Sequence, residues 1–201
     1  MGSGLLYTPS AVGGCMAKAK TGAFYLTEQV ILSATGTPVQ AQFSLASYID
    51  VASKQGIAIE QVDFMFQGVD TAGNYTQDLS TIGSNVLPWT TGVQLLDVQR
   101  GVGIVSDADR ALVGSGTLYH QGEPTGGVSH ESNLYPDNYG PVSTQEARII
   151  VNSELFLTAS STCDFTLADN LAVTCRIKAR IVSLSERDFM AIAITSSAAD
   201  N

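Results

Sequence analysis

The chain has 201 residues, a formal charge of −9, and 44% hydrophobic but only 14% charged residues. That length suits one domain with a substantial core. The acidic balance argues against nucleic-acid binding by the bulk surface, because phosphate recognition rests on Lys and Arg. No run of about 18 apolar residues is present to cross a bilayer. The charged fraction also lies below the roughly 25% of ordinary soluble domains. With 19 glycines, this points to a β-rich chain whose surface is partly covered, as subunit contacts would cover it.

Residues 1–22 read as an extended arm, punctuated by Gly2, Gly4, Pro9, Gly13, Gly14 and Gly22, with Lys18 and Lys20 as its only charges. Val12-Gly13-Gly14-Cys15 has the outline of a lipoprotein cleavage box. However, the positive start and continuous apolar run of a signal peptide are missing, so the expectation is an unprocessed chain. Two lysines are too few for a nucleic-acid-packaging arm. A glycine-rich arm stays ordered only when tied down, and the simplest tie is a neighbouring subunit.

From residue 23 to 201 the pattern fits a single β-sandwich domain. Residues 23–34 suit a first strand, and 35–38 a turn. Residues 43–49 fit a strand, whereas 47–56 fit a short helix capped by Ser47 and stopped by Gly56, which is the preferred expectation. Residues 57–67 alternate, with Val62, Phe64 and Phe66 on one face and Gln61, Asp63 and Met65 on the other. Residues 70–74 form a turn. The sequon Asn74-Tyr75-Thr76 has meaning only in an exported protein. Trp89, the single tryptophan, follows Pro88 in a loop-like stretch. It reads either as a packing anchor or as an interface anchor. Residues 93–105 fit a strand pair or a strand bent at Gly101 and Gly103, and 106–110 a turn. Residues 112–119 form a short strand.

Residues 120–143 are rich in Gly, Pro, Asn and Ser without periodicity, and read as a long ordered loop pinned by Tyr135 and Tyr139. Residues 145–158 and 163–167 follow as strands. The longest alternating segment is 169–183. There Leu171, Val173, Cys175, Ile177, Ala179 and Ile181 share one face, and Arg176, Lys178 and Arg180 the other. Ser185-Glu186-Arg187-Asp188 is a helix cap with acids in the first turn, leading into an apolar tail that is either a short helix or a final strand. About eight strand-like segments at this spacing suit an antiparallel two-sheet sandwich with one or two short helices.

No cofactor motif and no catalytic constellation emerges. His120, Glu123, His130, Glu131 and Asp137 could bind a divalent metal, but their spacing matches no named site and a solvated loop explains them. Gly127-Val128-Ser129-His130-Glu131 lacks the second glycine of a nucleophile elbow. Cys15, Cys163 and Cys175 are an odd set without paired spacing, against a secreted disulfide framework. Cys163 and Cys175 could face each other across a hairpin, or be buried free thiols.

The basic stripe Arg176, Lys178 and Arg180 stands out on an acidic chain. It is either a solvated strand face or a contact surface whose acidic mates, for instance within 60–78, belong to another copy. The expected subunit-interface residues are Arg176, Lys178, Arg180, Trp89, Lys18 and Lys20.

Ser47-Tyr48-Ile49-Asp50 through Lys54-Gln55-Gly56 into strand 57–66, and Arg176 to Arg180 through Ser185-Glu186-Arg187-Asp188-Phe189, together with the long loop, resemble the single jelly-roll capsid proteins of icosahedral viruses. The resemblance implies a jelly roll of eight strands, assembly with copies of itself into a closed shell, and location in the virion. A second capsid protein is a further partner it admits. Many such proteins of RNA viruses carry a strongly basic arm. This chain does not, which argues against direct genome binding and fits a shell over an internal membrane or one whose genome is condensed by other proteins. Two other readings compete: a surface filament or layer built by strand donation from the arm, located at the cell surface, and a carbohydrate- or metal-binding sandwich.

Overall fold

The computed structural model describes residues 17–79, 82, 87–122, 128–135, 139–144, 146–165 and 169–198. Most of the arm, Cys15, Glu123 and Asp137 therefore lie outside the described residues.

Among the described residues eleven strands and one α-helix follow in the order β1 (Lys18–Ala19), β2 (Phe24–Leu32), β3 (Val39–Ser44), β4 (Gln55–Val69), β5 (Tyr75–Thr76), β6 (Trp89–Leu96), β7 (Leu112–Gly122), β8 (Val128–Tyr135), β9 (Arg148–Ile150), β10 (Glu154–Ser161), β11 (Asn170–Ser183) and α1 (Glu186–Ala198). A 3-10 turn spans Val142–Thr144. Sheet A runs β2–β11–β4–β9, with β1 continuing β2 along β11 and β5 beside the far end of β4. Sheet B runs β3–β10–β6–β7–β8. Among the principal strands the first pairs with the last (β2 with β11), the second with the seventh (β3 with β10), the third with the sixth (β4 with β9) and the fourth with the fifth (β6 with β7), all antiparallel. A long antiparallel ribbon rolled up on itself produces this order, and it defines the jelly roll expected from sequence.

Alternation explains why these strands stack as two layers. On β11, Leu171, Val173, Cys175, Ile177 and Ala179 are all fully buried and meet Ile57, Ile59, Val62 and Phe64 of β4. Sheet B contributes Phe43, Trp89, Val93, Leu95, Leu155 and Leu157 from the other side. The space between the sheets is thus filled by side chains. A smaller apolar cluster lies on the outer face of sheet A, where Phe189 of α1 packs on Ala58, Val182 and Val151. Ser185 caps this helix: its Oγ accepts from the Asp188 amide at 3.1 Å and donates to the Asp188 carboxylate at 2.8 Å. The cap anticipated from sequence is therefore in place.

Several segments differ from the sequence expectation. The helix expected at 47–56 is a pair of tight turns closed by an Asp50–Gln55 bridge. The Asp50 carboxylate captures the Ala52 amide and the Ser53 hydroxyl, and this local alternative outcompetes a helix. Residues 145–158 divide into β9 and β10 because the chain crosses between sheets there. Residues 97–111 form a loop over the outer face of sheet B, held by the buried Gln94 side chain, which bonds the amide and the carbonyl of Val105. The expected loop at 120–143 instead contains β8, paired with β7 from Ser115–Tyr135 to Gly122–Val128.

Cys163 and Cys175 are buried free thiols, so the hairpin disulfide does not form. Burial pushes the Cys163 thiol up to about 12 and raises that of Cys175 as well. Both stay protonated at pH 8, where a solvated thiol begins to ionise. In a Cys15→Ser protein, neither should react with a thiol reagent at pH 8 until denaturant is added. Ile177→Ala, which opens a cavity at the centre of β11, should cost about 2–5 kcal/mol in chemical denaturation.

Candidate inter-subunit surface

The outer face of sheet A carries most of the residues singled out from sequence. Its organising feature is a break in strand register. Lys178 of β11 lies opposite Gln61 of β4, but Ala179 lies opposite Ile59, so Glu60 is the extra residue of a β-bulge. The bulge shifts the phase of β4. Ile57 and Ile59 point into the core before it, and Val62 and Phe64 after it.

Glu60 itself is 3% exposed. Arg180 Nε donates to Glu60 Oε1 at 2.8 Å, and Lys178 Nζ lies 3.7 Å from Oε2. The Val142 amide also reaches Glu60 Oε1, at 3.3 Å. The Glu60 carbonyl accepts from the amides of Tyr139 and Gly140. A buried carboxylate needs this company, because desolvation without partners costs several kcal/mol. Gly140 adopts φ 89 to make the turn, a backbone region that favours glycine. The Tyr139 hydroxyl donates to the Val113 carbonyl. One bulged residue therefore ties together β4, β11 and the segment leading to β9.

The acidic mate of the stripe thus belongs, for two of its three members, to the next strand of the same subunit. Arg180 and Lys178 are structural ion-pair partners, each about one-third exposed. Arg176 is different. It is exposed, lies in register between Thr27 and Asp63, and makes no ion pair among the described residues. Lys18 borders a depression of about 620 Å³ whose walls include Glu60, Arg180, Pro141 and Val142. Lys20 bonds the Gln55 side chain, and its amide reaches the Ile181 carbonyl. The described end of the arm is therefore held by β11 of its own subunit. Trp89 is 3% exposed and stacks on His120, with ring centroids 4.9 Å apart and planes within 6°. Of its two readings, packing anchor is the one realised. Trp89 is not available as a surface contact, and His120, fully buried in β7, is not a loop ligand.

Beyond α1 the outer face of sheet A is uncovered by any described element. Tyr25, Ile31 and Tyr75 expose 62, 42 and 51% of their surface there. The Tyr75 hydroxyl spans the sheet to Gln29, which in turn donates to Thr174. Arg176, Lys178 and Arg180 face Glu60 and Asp63 in this region. Three cations against two acids leave a local excess of one positive charge on a chain of formal charge −9.

A second ion-pair centre closes one end of the sandwich. Asp97, just after β6 and 4% exposed, accepts from Arg148 of β9 at 3.1 Å, so it bridges the two sheets. Arg148 also donates to the Arg110 carbonyl, and Asn152 to that of Asp97. Burial raises the Asp97 carboxyl above its ordinary value, against the opposing pull of Arg148.

No family model and no curated protein matches the chain. Among solved structures it is similar to a chain of tomato aspermy virus, with 15% identity, 86% of this chain and 87% of the other covered, and a TM-score of 0.38. Chimpanzee polyomavirus VP1 matches with 7% identity, 85% and 100% coverage, and a TM-score of 0.40. Turnip yellow mosaic virus matches with 12% identity, 82% and 96% coverage, and a TM-score of 0.29. These are virus structures, the class to which the sequence resemblance pointed.

Arg180→Ala strands a buried carboxylate and should cost about 2 kcal/mol. That is below the roughly 3–5 of a fully buried pair, because solvent screens the guanidinium. Arg176→Ala should stay within about 0.5 kcal/mol of the parent. For Asp97 the raised folded-state value means that its contribution to stability is complete below about pH 4 and is lost as pH rises through that value. Asp97→Asn should therefore gain stability relative to the parent between about pH 4 and neutrality, as read from urea midpoints across that range.

Proposed function

We propose that this protein is a structural subunit that assembles with copies of itself into a shell of the virus-capsid type. Jelly rolls serve as capsid, lectin and cupin domains alike, and a fold alone does not choose between them. The observation that favours a shell subunit is the division of labour between the two sides of sheet A. Its inner face belongs to a solid apolar core, leaving the sandwich interior to side chains rather than to a ligand. Its outer face beyond α1 is left open, with exposed Tyr25, Ile31 and Tyr75 around the cationic Arg176. Exposed aromatic and Arg side chains are the anchors on which protein interfaces concentrate their energy. A local positive excess on an acidic chain complements the rest of another copy. The metal-binding reading is weakened by the burial of His120 against Trp89.

In this reading Arg176 is the member of the basic stripe that contacts a neighbour, with Lys18 at the margin, while Lys178 and Arg180 serve the subunit's own fold. Sizing chromatography and negative-stain microscopy of purified protein should show discrete closed assemblies. A strictly monomeric species at every concentration and salt would sink the proposal. Arg176→Glu should raise the concentration needed for assembly about tenfold, equivalent to about 1.4 kcal/mol, with an unchanged melting temperature. Added salt should narrow that difference, because exposed charges are screened.

A further inference from the structure

Strand β2 is an edge of sheet A that lacks most of the devices by which proteins block strand pairing. Among the described residues it pairs with β11 on one side and with no strand on the other. Its register against β11 is unbroken from Leu171–Leu32 to Ala179–Phe24. Its nine residues, FYLTEQVIL, contain no Lys, Arg or Pro. The other edges are blunted in the usual ways. β5 and β9 have two and three residues. β1 is short and carries Lys18. β3 starts directly after Pro38, and β8, VSHESNLY, is mostly polar where β2 is mostly apolar. A long row of unpaired backbone donors and acceptors fits one class of partner, an extended polypeptide.

We infer that β2 pairs with β2 of a second copy, antiparallel about a two-fold axis at Thr27, so that sheet A continues from one subunit into the next. This rests on the self-assembly reading above and names the surface that begins it. The choice of a second copy follows from the self-complementarity of the strand. Centring the pair on Thr27 sets Phe24 opposite Val30, Tyr25 opposite Gln29, Leu26 opposite Glu28, and Thr27 opposite itself. Directly opposed residues share a face, so the core-facing set of each copy stays together and the exposed Tyr25 and Thr27 stay outside. Aromatic with β-branched and Thr with Thr are favourable cross-strand pairs. Glu28 selects this register. A pair centred one residue later would set two Glu28 carboxylates directly opposite each other on the core-facing side, which is unfavourable. The contact is isologous and closes as a dimer, leaving the cationic outer face free for further neighbours.

Cysteine cross-linking tests this directly, using the full chain with Cys15→Ser. Thr27 is exposed, so Thr27→Cys leaves the fold intact. Self-opposed residues place their Cβ atoms about 4.5–5.5 Å apart, within a small adjustment of disulfide geometry. Mild oxidation should convert Thr27→Cys into a covalent dimer on a non-reducing gel, and Glu28→Cys should yield less than a tenth as much. Thr27→Lys should raise the dimer dissociation constant at least about tenfold at an unchanged melting temperature. Assemblies that form without a Thr27→Cys cross-link, or that cross-link better at residue 28, overturn the β2 pairing and leave the shell reading standing. A cross-link that appears only after residues 2–16 are deleted also overturns it, because the arm would then be the strand at this edge. A protein that is monomeric throughout overturns both.

Discussion

The buried carboxylate of Glu60 is the constraint on which much of this molecule depends. It sits at a bulge in β4, where one extra residue reverses the phase of the strand. Without that reversal, either Ile57 and Ile59 or Val62 and Phe64 would face outward, since a one-residue slip exchanges the two faces of a strand. The bulge puts both pairs in the core, and the residue it leaves over is an acid that must be neutralised. Arg180 and Lys178 do so from β11, and the amide of Val142 completes the set. Core packing, the β4–β11 seam and the path of the chain into β9 thus converge on one side chain.

This convergence divides the basic stripe by role. Arg180 and Lys178 are committed within the subunit, and their partial exposure reflects long side chains reaching over a bulge. Arg176, two residues before Lys178, lies on the regular part of the ladder and points to solvent. The same strand therefore supplies a structural pair at one end and a contact residue at the other. The inter-sheet pair of Asp97 and Arg148 plays a comparable closing role at the end of the sandwich where β6 meets β9.

Solid interior and open exterior belong together. Because Trp89, His120 and the aliphatic residues of both sheets fill the space between the layers, the surfaces left for function are outer faces and edges. α1 covers one end of the outer face of sheet A through Phe189. The remainder of that face and the β2 edge next to it form a continuous region in which apolar, cationic and backbone groups are all accessible. Exposed apolar, cationic and backbone groups side by side suit contact with other polypeptide chains.

Period-two alternation in 169–183 and 57–67 was enough to establish those strands and their two faces, and the number and spacing of strand-like segments the sandwich class, because side-chain parity in a strand is a local property. The helix cap at Ser185 was legible for the same reason. The bulge left a trace as well: Ile57 and Ile59 are odd-numbered whereas Val62, Phe64 and Phe66 are even-numbered, and Glu60, the first of two acids in that run, lies where the parity breaks. Its meaning was hidden, since Glu60 becomes a site only when Arg180, 120 positions away, lies beside it. Tertiary structure alone decided that two members of the stripe pair internally, that Trp89 is core, that 120–143 contains a strand, and that β2 is an edge. Each depends on which strands become neighbours, and long-range pairing is not encoded in any local pattern of residues.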